Sequence, residues 1–314
     1  MAAARGPGAI GGGRGAPGAG PGALGAPGAI GGPGRRGAMG SPNRFAGLAA
    51  ALVLGDGRFP AGGHAHSGGV EEAAAQGLVG DLATLGSFLG GRLETVGLVS
   101  AALGAAACAI CLGTAGIGVA EDGAGADRAR AGDGAGTARE RPGAEPCGQV
   151  LDNLFRLDRE ADARMPSPAQ RRISRSQGRQ LLRAALVSWS GGLVAAVAGA
   201  QPEPHHALAL GCAAVTADMA PGQAASCLAY GSVAGPAWAA VRLLGMDPLA
   251  VAALVADLAY RVDQVAAEAA ACVPQPGEEL AAWGWMARLP AASAPLLDHL
   301  AESHAVRKMR LFAS

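Results

Sequence analysis

The segment FPAGGHAHSGGVEE, residues 59–72, lies between two stretches whose apolar residues have helical spacing. Its four glycines, two histidines and one serine predict a tight loop in which glycines adopt positive φ. Val70 then begins a helix with Glu71 and Glu72 in its first turn, where carboxylates stabilise the positive end of the helix dipole. The residues that we predict to shape this loop are Pro60, Gly62, Gly63, Ser67, Gly69 and Glu71.

Outside this loop, helical spacing dominates, and strand signals are weak because β-branched and aromatic residues are scarce. Capping side chains precede apolar runs at Asp81, Ser167 and Asp247, and Gln170 completes a capping-box pattern after Ser167. A short first helix with an apolar face is predicted from the spacing of Phe45, Leu48, Ala49 and Leu52. About eight to ten helices without strands predict an all-α fold, a single-domain helical bundle.

Two parts of the chain have low complexity. Residues 1–42 are almost entirely Gly, Ala, Pro and Arg, and a segment at about 118–148 has the same character with Asp added. Such segments bury too little apolar surface to offset the entropy lost on ordering. We therefore predict a disordered tail at 1–42, an all-α domain at 43–303 that contains the insert, and a flexible tail at 304–314.

Charge and cysteine content narrow the class of protein. The formal net charge is zero, with 25 basic and 25 acidic residues, so neither nucleic acid nor an anionic membrane is expected as a partner. The six cysteines lack regular spacing, which favours reduced thiols in a cytoplasmic protein. The first residues also lack the compact apolar segment of a secretory signal.

One apolar stretch tests the interpretation that the protein is cytoplasmic and has no membrane partner. Leu98–Ala120 contains no charged side chain and is long enough to span a bilayer. Ala and Gly dominate it, and they drive membrane insertion far less than Leu or Phe. We favour a buried central helix, and the alternative is a membrane-associated helical protein built around Leu98–Ala120.

The usual catalytic motifs are missing from the sequence. A phosphate-binding P-loop needs a lysine after a glycine, but Lys308 is the only lysine and follows Arg307. Neither a G-x-S-x-G elbow nor an H-E-x-x-H zinc motif occurs. We therefore predict no catalytic residue and no enzyme activity.

Two histidine pairs are candidates for metal ligands. His64 and His66 in the loop are weak candidates for imidazole ligands, and His205 and His206 form a second pair. Neither pair has the four-ligand spacing of a structural zinc site. The alternative is that His66 hydrogen-bonds to the loop backbone and that His206 packs in the core.

A basic stripe is predicted on the helix that begins at Pro168. Its arginines advance by three or four residues and therefore share one face. The stripe comprises Arg172, Arg175, Arg179 and Arg183. It is interpreted first as a solvated face, with an acidic partner surface as the alternative.

Five segments in order resemble the UreF family of urease accessory proteins. The loop is similar to the family's signature near its start, and most of residues 45–314 share the resemblance. The other four segments are RSQGRQLL at 175–182, PHHALALG at 204–211, the run from Tyr230 to Leu244, and RLFAS at 310–314. His64 departs from the usual aromatic residue, and Gly235-Pro236 is expected to interrupt the central helix.

The resemblance implies an all-α homodimer without a cofactor or a reaction of its own, in which nickel is handled by the whole complex. Such proteins bridge a UreD/UreH-type accessory protein and the UreG GTPase while nickel is loaded into the urease apoprotein. It further implies that the tail at 304–314 binds the UreD/UreH-type partner and that the basic stripe is a candidate surface for regulating GTP hydrolysis. The predicted partner-binding residues are Arg175, Arg179, Arg307, Lys308, Arg310 and Phe312.

Overall fold

The computed structural model describes residues 46–115, 145–189, 192–273 and 283–313, and within these ranges it contains helices and turns but no strand. All of these residues belong to one compact unit, residues 44–314. The predicted all-α fold is confirmed. The tail predicted at 1–42 and most of the insert predicted at about 118–148 lie outside the described residues.

The α-helices of the described residues are slightly more numerous than the sequence predicts. A π-helical segment occupies Leu93–Gly97, and 3-10 turns occupy Gly63–Ala65 and Trp283–Arg288. The α-helices are α1 Leu48–Gly55, α2 Val70–Ala75, α3 Leu82–Arg92, α4 Leu98–Ala115, α5 Glu145–Ala163, α6 Pro168–Ser188, α7 Gly192–Ala200, α8 His206–Thr216, α9 Pro221–Leu244, α10 Pro248–Asp257, α11 Ala259–Ala271 and α12 Pro295–Val306.

The predicted helix starts are confirmed by their caps. Asp81 Oδ1 accepts from Thr84 N at 2.8 Å, Ser167 Oγ from Gln170 N at 3.1 Å, and Asp247 Oδ1 from Leu249 N at 3.0 Å. The prediction of a capping box at Ser167 is wrong in one respect. The side chain of Gln170 donates to Asp298 at 3.1 Å and so ties α6 to α12 instead of closing on its own cap.

α4 is the central helix of the core. Its alanines at 101, 102 and 105–107 are fully buried, and it packs against α5, α8, α9 and α11. Among the described residues, only Leu82–Gly113 is long and apolar enough to cross a membrane, and 72% of its apolar window is buried inside the protein. Burial within the bundle therefore accounts for residues 98–113 of the apolar stretch, because small side chains allow neighbouring helices to approach closely. Residues 116–120 lie outside the described ranges.

α1 differs from the prediction. Leu48 and Leu52 are exposed, with Leu52 at 70%, and Leu54 is the buried residue of this helix. The sequence LAAALVLG is apolar on every side, so the spacing of its leucines does not identify the face that packs on α8 and α9.

The predicted interruption of the central helix at Gly235-Pro236 is also wrong, since α9 continues through Pro236. A proline has no N–H to donate to the carbonyl four residues earlier, here that of Ser232. The side chain of Arg92 supplies the missing donor, with Nε 3.0 Å from Ser232 O. The helix therefore stays intact because a second helix satisfies the carbonyl that proline leaves open.

Candidate functional site

The glycine loop has the backbone geometry that the sequence predicts. Gly62, Gly68 and Gly69 have φ of +77°, +62° and +94°, a region that side chains with Cβ disfavour. A Cβ on Gly62 would also lie 2.0 Å from Gln180 Oε1, so the loop sits directly against α6. Gly63 instead begins the 3-10 turn.

Two contacts fix the second half of this loop. Ser67 is fully buried, and its hydroxyl accepts a hydrogen bond from Glu71 N at 3.4 Å at the start of α2. Arg92 Nη1 donates to Gly68 O at 2.9 Å. Burial lowers the pKa of Arg92 to about 10, so the guanidinium remains charged at neutral pH. One arginine thus joins the loop to α9.

The C-terminal segment, residues 307–313, lies against the loop and α2. The backbone amides of Leu311 and Phe312 donate to Glu71 Oε1 at 2.7 Å and Oε2 at 3.0 Å. Ala313 N donates to Ala65 O at 2.7 Å. Chain positions separated by 240 residues therefore form one continuous surface.

Side chains reinforce this attachment. His304 Nε2 lies 2.9 Å from Glu71 Oε2, and Arg307 Nη1 lies 3.1 Å from Glu72 Oε2. Burial acts to raise the pKa of Glu71, but the amides of Leu311 and Phe312 together with His304 outweigh it and hold the pKa below its usual value. The ionised carboxylate is therefore the form that binds the segment.

The outer face of the segment is open to solvent. Met309 and Leu311 are 85% and 80% exposed, and Lys308 and Arg310 are exposed beside them. Phe312 instead turns inward, with the Arg242 guanidinium 4.8 Å from its ring centroid. The structure thus holds the backbone of a segment that composition predicts to be flexible, and residues 304–306 belong to α12. Its flexibility in solution stays a prediction.

The loop histidines do not gather with a third metal ligand among the described residues. His64 is exposed, while burial lowers the pKa of His66, with a smaller contribution from His64. Burial lowers the pKa of His206 to about 4, with a further contribution from His66. His66 and His206 are therefore neutral imidazoles at neutral pH, and metal binding at His64 and His66 stays a prediction.

Within the described ranges, the one group of three metal-type donors is Asp158, Asp162 and His205. His205 is buried, with Nε2 2.9 Å from Asp162 Oδ1 and Nδ1 2.9 Å from Ser174 Oγ. Arg175 Nη2 lies 3.0 Å from Asp158 and 2.6 Å from Asp162. Because the guanidinium of Arg175 is already paired with both carboxylates, this group is an ion-pair and hydrogen-bond network that joins α5, α6 and α8.

The basic stripe on α6 is not uniformly free for a partner. Arg175 belongs to the network just described, and Arg179 pairs with Glu203. Arg172 and Arg183 are exposed. Partner binding by Arg175 and Arg179 stays a prediction.

Sequence reasoning missed several residues that organise the site. Asp158 and Asp162 lie at i and i+4 on α5, so the sequence places them on one face of the helix. It does not reveal that His205, 43 residues after Asp162, is their partner. Arg92 carries no local signal at all, since both of its acceptors are backbone carbonyls. Residues that act through long-range contacts were the ones missed.

The fold and this surface define a class of helical protein in which a loop and a C-terminal segment combine into one exposed face. The UreF family model matches residues 79–259 of the chain. Urease accessory protein UreF of Mycobacterium sp. (strain JLS) is 39% identical over 267 residues, which cover 85% of this chain and 99% of that protein.

Two further relatives carry the same description. Urease accessory protein UreF of Mycolicibacterium vanbaalenii is 39% identical over 271 residues, and that of Mycobacterium tuberculosis (strain ATCC 25177 / H37Ra) is 35% identical over 267. Each match covers 85% of this chain and 99% of the relative. The chain belongs to the UreF family of urease accessory proteins.

Proposed function

We propose that this chain is a non-catalytic scaffold of urease maturation that bridges a UreD/UreH-type accessory protein and the UreG GTPase. Similarity to urease accessory proteins along nearly their whole length supports this role. In the same proposal the chain acts in the cytoplasm as a homodimer, has no cofactor of its own, and passes nickel to the urease apoprotein only as part of the complex.

The observation that carries the partner assignment is the attachment of the C-terminal segment to the glycine loop. Glu71 and Ala65 bind the backbone of this segment from within, which leaves Met309 and Leu311 directed to solvent beside Lys308 and Arg310. Large apolar side chains at high exposure, flanked by basic groups, suit an apolar partner surface with an acidic rim. We assign this face to the UreD/UreH-type protein.

A co-purification experiment tests this assignment. Leu311→Asp should weaken capture of the UreD/UreH-type protein by about tenfold or more, because the change places a carboxylate in the apolar contact. Leu249→Asp is the matched control, since Leu249 is equally exposed, at 80%, on α10. Deletion after Val306 should abolish capture.

The bridging claim requires all three proteins. UreG should co-purify with the UreD/UreH-type protein only when this chain is present. Equal capture by wild type and the deletion variant would refute the role of the C-terminal segment, and capture of UreG without this chain would refute bridging.

Regulation of GTP hydrolysis is the finer part of the proposal, and Arg179 is its candidate residue. Arg179 is paired with Glu203 but remains half-exposed, so it is accessible to a docked protein. The rate of GTP hydrolysis by UreG should change on addition of wild type and change less with Arg179→Ala. An identical rate with and without this chain would exclude regulation.

A further inference from the structure

A cavity of about 280 Å³ lies between the glycine loop, α6, α12 and the C-terminal segment. Each of these four parts contributes a polar residue to its lining, and alanine and isoleucine side chains form the remaining walls. The polar residues are His66, Arg172, Ser176, His304 and Arg310.

The two arginines of the cavity differ from the other basic residues around it. Across the described part of the chain, neither Arg172 nor Arg310 has a carboxylate within ion-pair distance, whereas Arg175, Arg179 and Arg307 each have at least one. The cavity therefore collects two guanidinium groups whose charges are not matched by a bound carboxylate.

The acidic side chains that adjoin the cavity already have other hydrogen-bond donors. The hydroxyl of Ser167 and the amide of Ala169 donate to Glu302, and with a smaller contribution from the Arg172 charge they lower the pKa of that carboxyl. Glu71 accepts the amides of the C-terminal segment. Among the described contacts, neither carboxylate lies within ion-pair distance of Arg172 or Arg310. Both guanidinium groups therefore remain available to a further anion.

The donors that line the cavity are of the kinds that bind oxyanions. A guanidinium presents paired N–H groups that fit two oxygens of a carboxylate or phosphate. The hydroxyl of Ser176 accepts from Gln180 Nε2 at 3.4 Å and retains its own proton to donate. A space of this size holds a carboxylate side chain or a small free anion.

We propose that this cavity is an oxyanion-binding site, occupied either by an acidic side chain of a protein docked on the C-terminal segment or by a small free oxyanion. Only the first source depends on the function proposed above. In both cases the anion bridges Arg172 on α6 to Arg310 on the C-terminal segment. Its binding should therefore strengthen the attachment of that segment.

Titration of the full chain with acetate and with inorganic phosphate tests the site directly. Calorimetry at constant ionic strength, balanced with sodium chloride, should detect binding to wild type. Arg172→Gln and Arg310→Gln should each weaken it by about tenfold or more. Arg183→Gln is the matched control, because Arg183 is an exposed arginine of the same helix that does not line the cavity.

The variants separate the possible outcomes. Arg172 is exposed on a helix surface, so Arg172→Gln should unfold at the same temperature as Arg183→Gln. Equal unfolding temperatures would show that weaker anion binding by Arg172→Gln does not result from misfolding. The proposal is wrong if neither acetate nor phosphate binds wild type, or if Arg183→Gln weakens binding as much as Arg172→Gln does.

A second arm identifies the source of the anion. If Arg172→Gln also weakens capture of the UreD/UreH-type protein, and phosphate competes with capture by wild type, then a partner's acidic side chain fills the site. If capture is unchanged while titration shows binding, the ligand is a free oxyanion. Failure of wild type to capture any partner would refute the function proposed above and leave the titration result intact.

Discussion

At the scale of single residues, Glu71 has a role that its position in the sequence only partly reveals. The resemblance identifies it as part of a structural loop, and its place in the first turn of α2 explains why a carboxylate is favoured there. The two amides that it accepts lie 240 and 241 residues away, and no local pattern links them to it. The sequence therefore indicates the loop but not the segment that the loop binds.

We expect Glu71→Gln to loosen the C-terminal segment. The amide of glutamine keeps one acceptor oxygen, so one of the two backbone hydrogen bonds is lost together with the negative charge. Hydrogen bonds to a charged group each contribute roughly 1.5–3 kcal/mol. Hydrogen exchange of residues 307–313 should accelerate in this variant. Glu268→Gln, at an exposed glutamate of α11, is the control, and equal exchange in both variants would contradict the anchor role.

The same carboxylate predicts a dependence on pH. The pKa of Glu71 is lower in the folded chain than in the unfolded chain. The stability that the ionised carboxylate adds is therefore complete above the usual glutamate pKa of about 4.3. It is lost as the pH falls through the pKa that Glu71 has in the folded chain. The difference in free energy of unfolding between wild type and Glu71→Gln, measured by urea from pH 7 to pH 3, should therefore shrink in acid. A constant difference would show that the carboxylate charge is not what binds the segment.

At the scale of secondary-structure elements, α9 shows how a long-range contact overrides a local rule. A proline inside a helix predicts a break, and Arg92 prevents it by donating to Ser232 O from a position 140 residues earlier. The same guanidinium donates to Gly68 O, so the continuity of α9 and the position of the loop depend on one side chain. The π-helical segment begins immediately after Arg92.

A double-mutant cycle measures this dependence. Pro236→Ala returns the N–H that α9 lacks, so Ser232 O no longer needs Arg92. Arg92→Met leaves two partly buried carbonyls without their donor. In wild type this change should cost up to about 1–3 kcal/mol for each carbonyl. In the Pro236→Ala background, the loss in free energy of unfolding caused by Arg92→Met should be smaller by about 0.5–1.5 kcal/mol, as measured by urea unfolding. Additive costs would mean that Ser232 O does not depend on Arg92.

Elements whose ends are set locally were predicted well, and those set by distant contacts were not. Asp81, Ser167 and Asp247 begin helices because each cap bonds to an amide two or three residues on, which a sequence displays directly. The buried face of α1 and the network around His205 depend on neighbours far along the chain. Periodicity alone cannot supply that information when a helix is apolar on all sides.

At the scale of the whole molecule, α4 determines how the bundle is assembled. Its small, fully buried side chains let α5, α8, α9 and α11 surround it. The described helical span that is apolar enough to cross a membrane is therefore largely enclosed by protein. The glycine loop and α12 then meet at the surface of the same unit, where the C-terminal segment attaches. The core therefore sets the relative positions of the parts that form the proposed partner surface.

A matched pair of substitutions distinguishes this arrangement from a membrane-associated one. Ala106 is fully buried in α4, so Ala106→Leu should overpack the core and destabilise the protein by roughly 1–3 kcal/mol. Ala256→Leu, at an exposed alanine of α10, should change the free energy of unfolding by less than about 0.5 kcal/mol. In a helix that faced lipid, a leucine in place of alanine would be tolerated or favourable. Urea unfolding of protein recovered without detergent should thus show a large loss in the free energy of unfolding for Ala106→Leu only. An equal free energy of unfolding for the two variants would favour the membrane alternative.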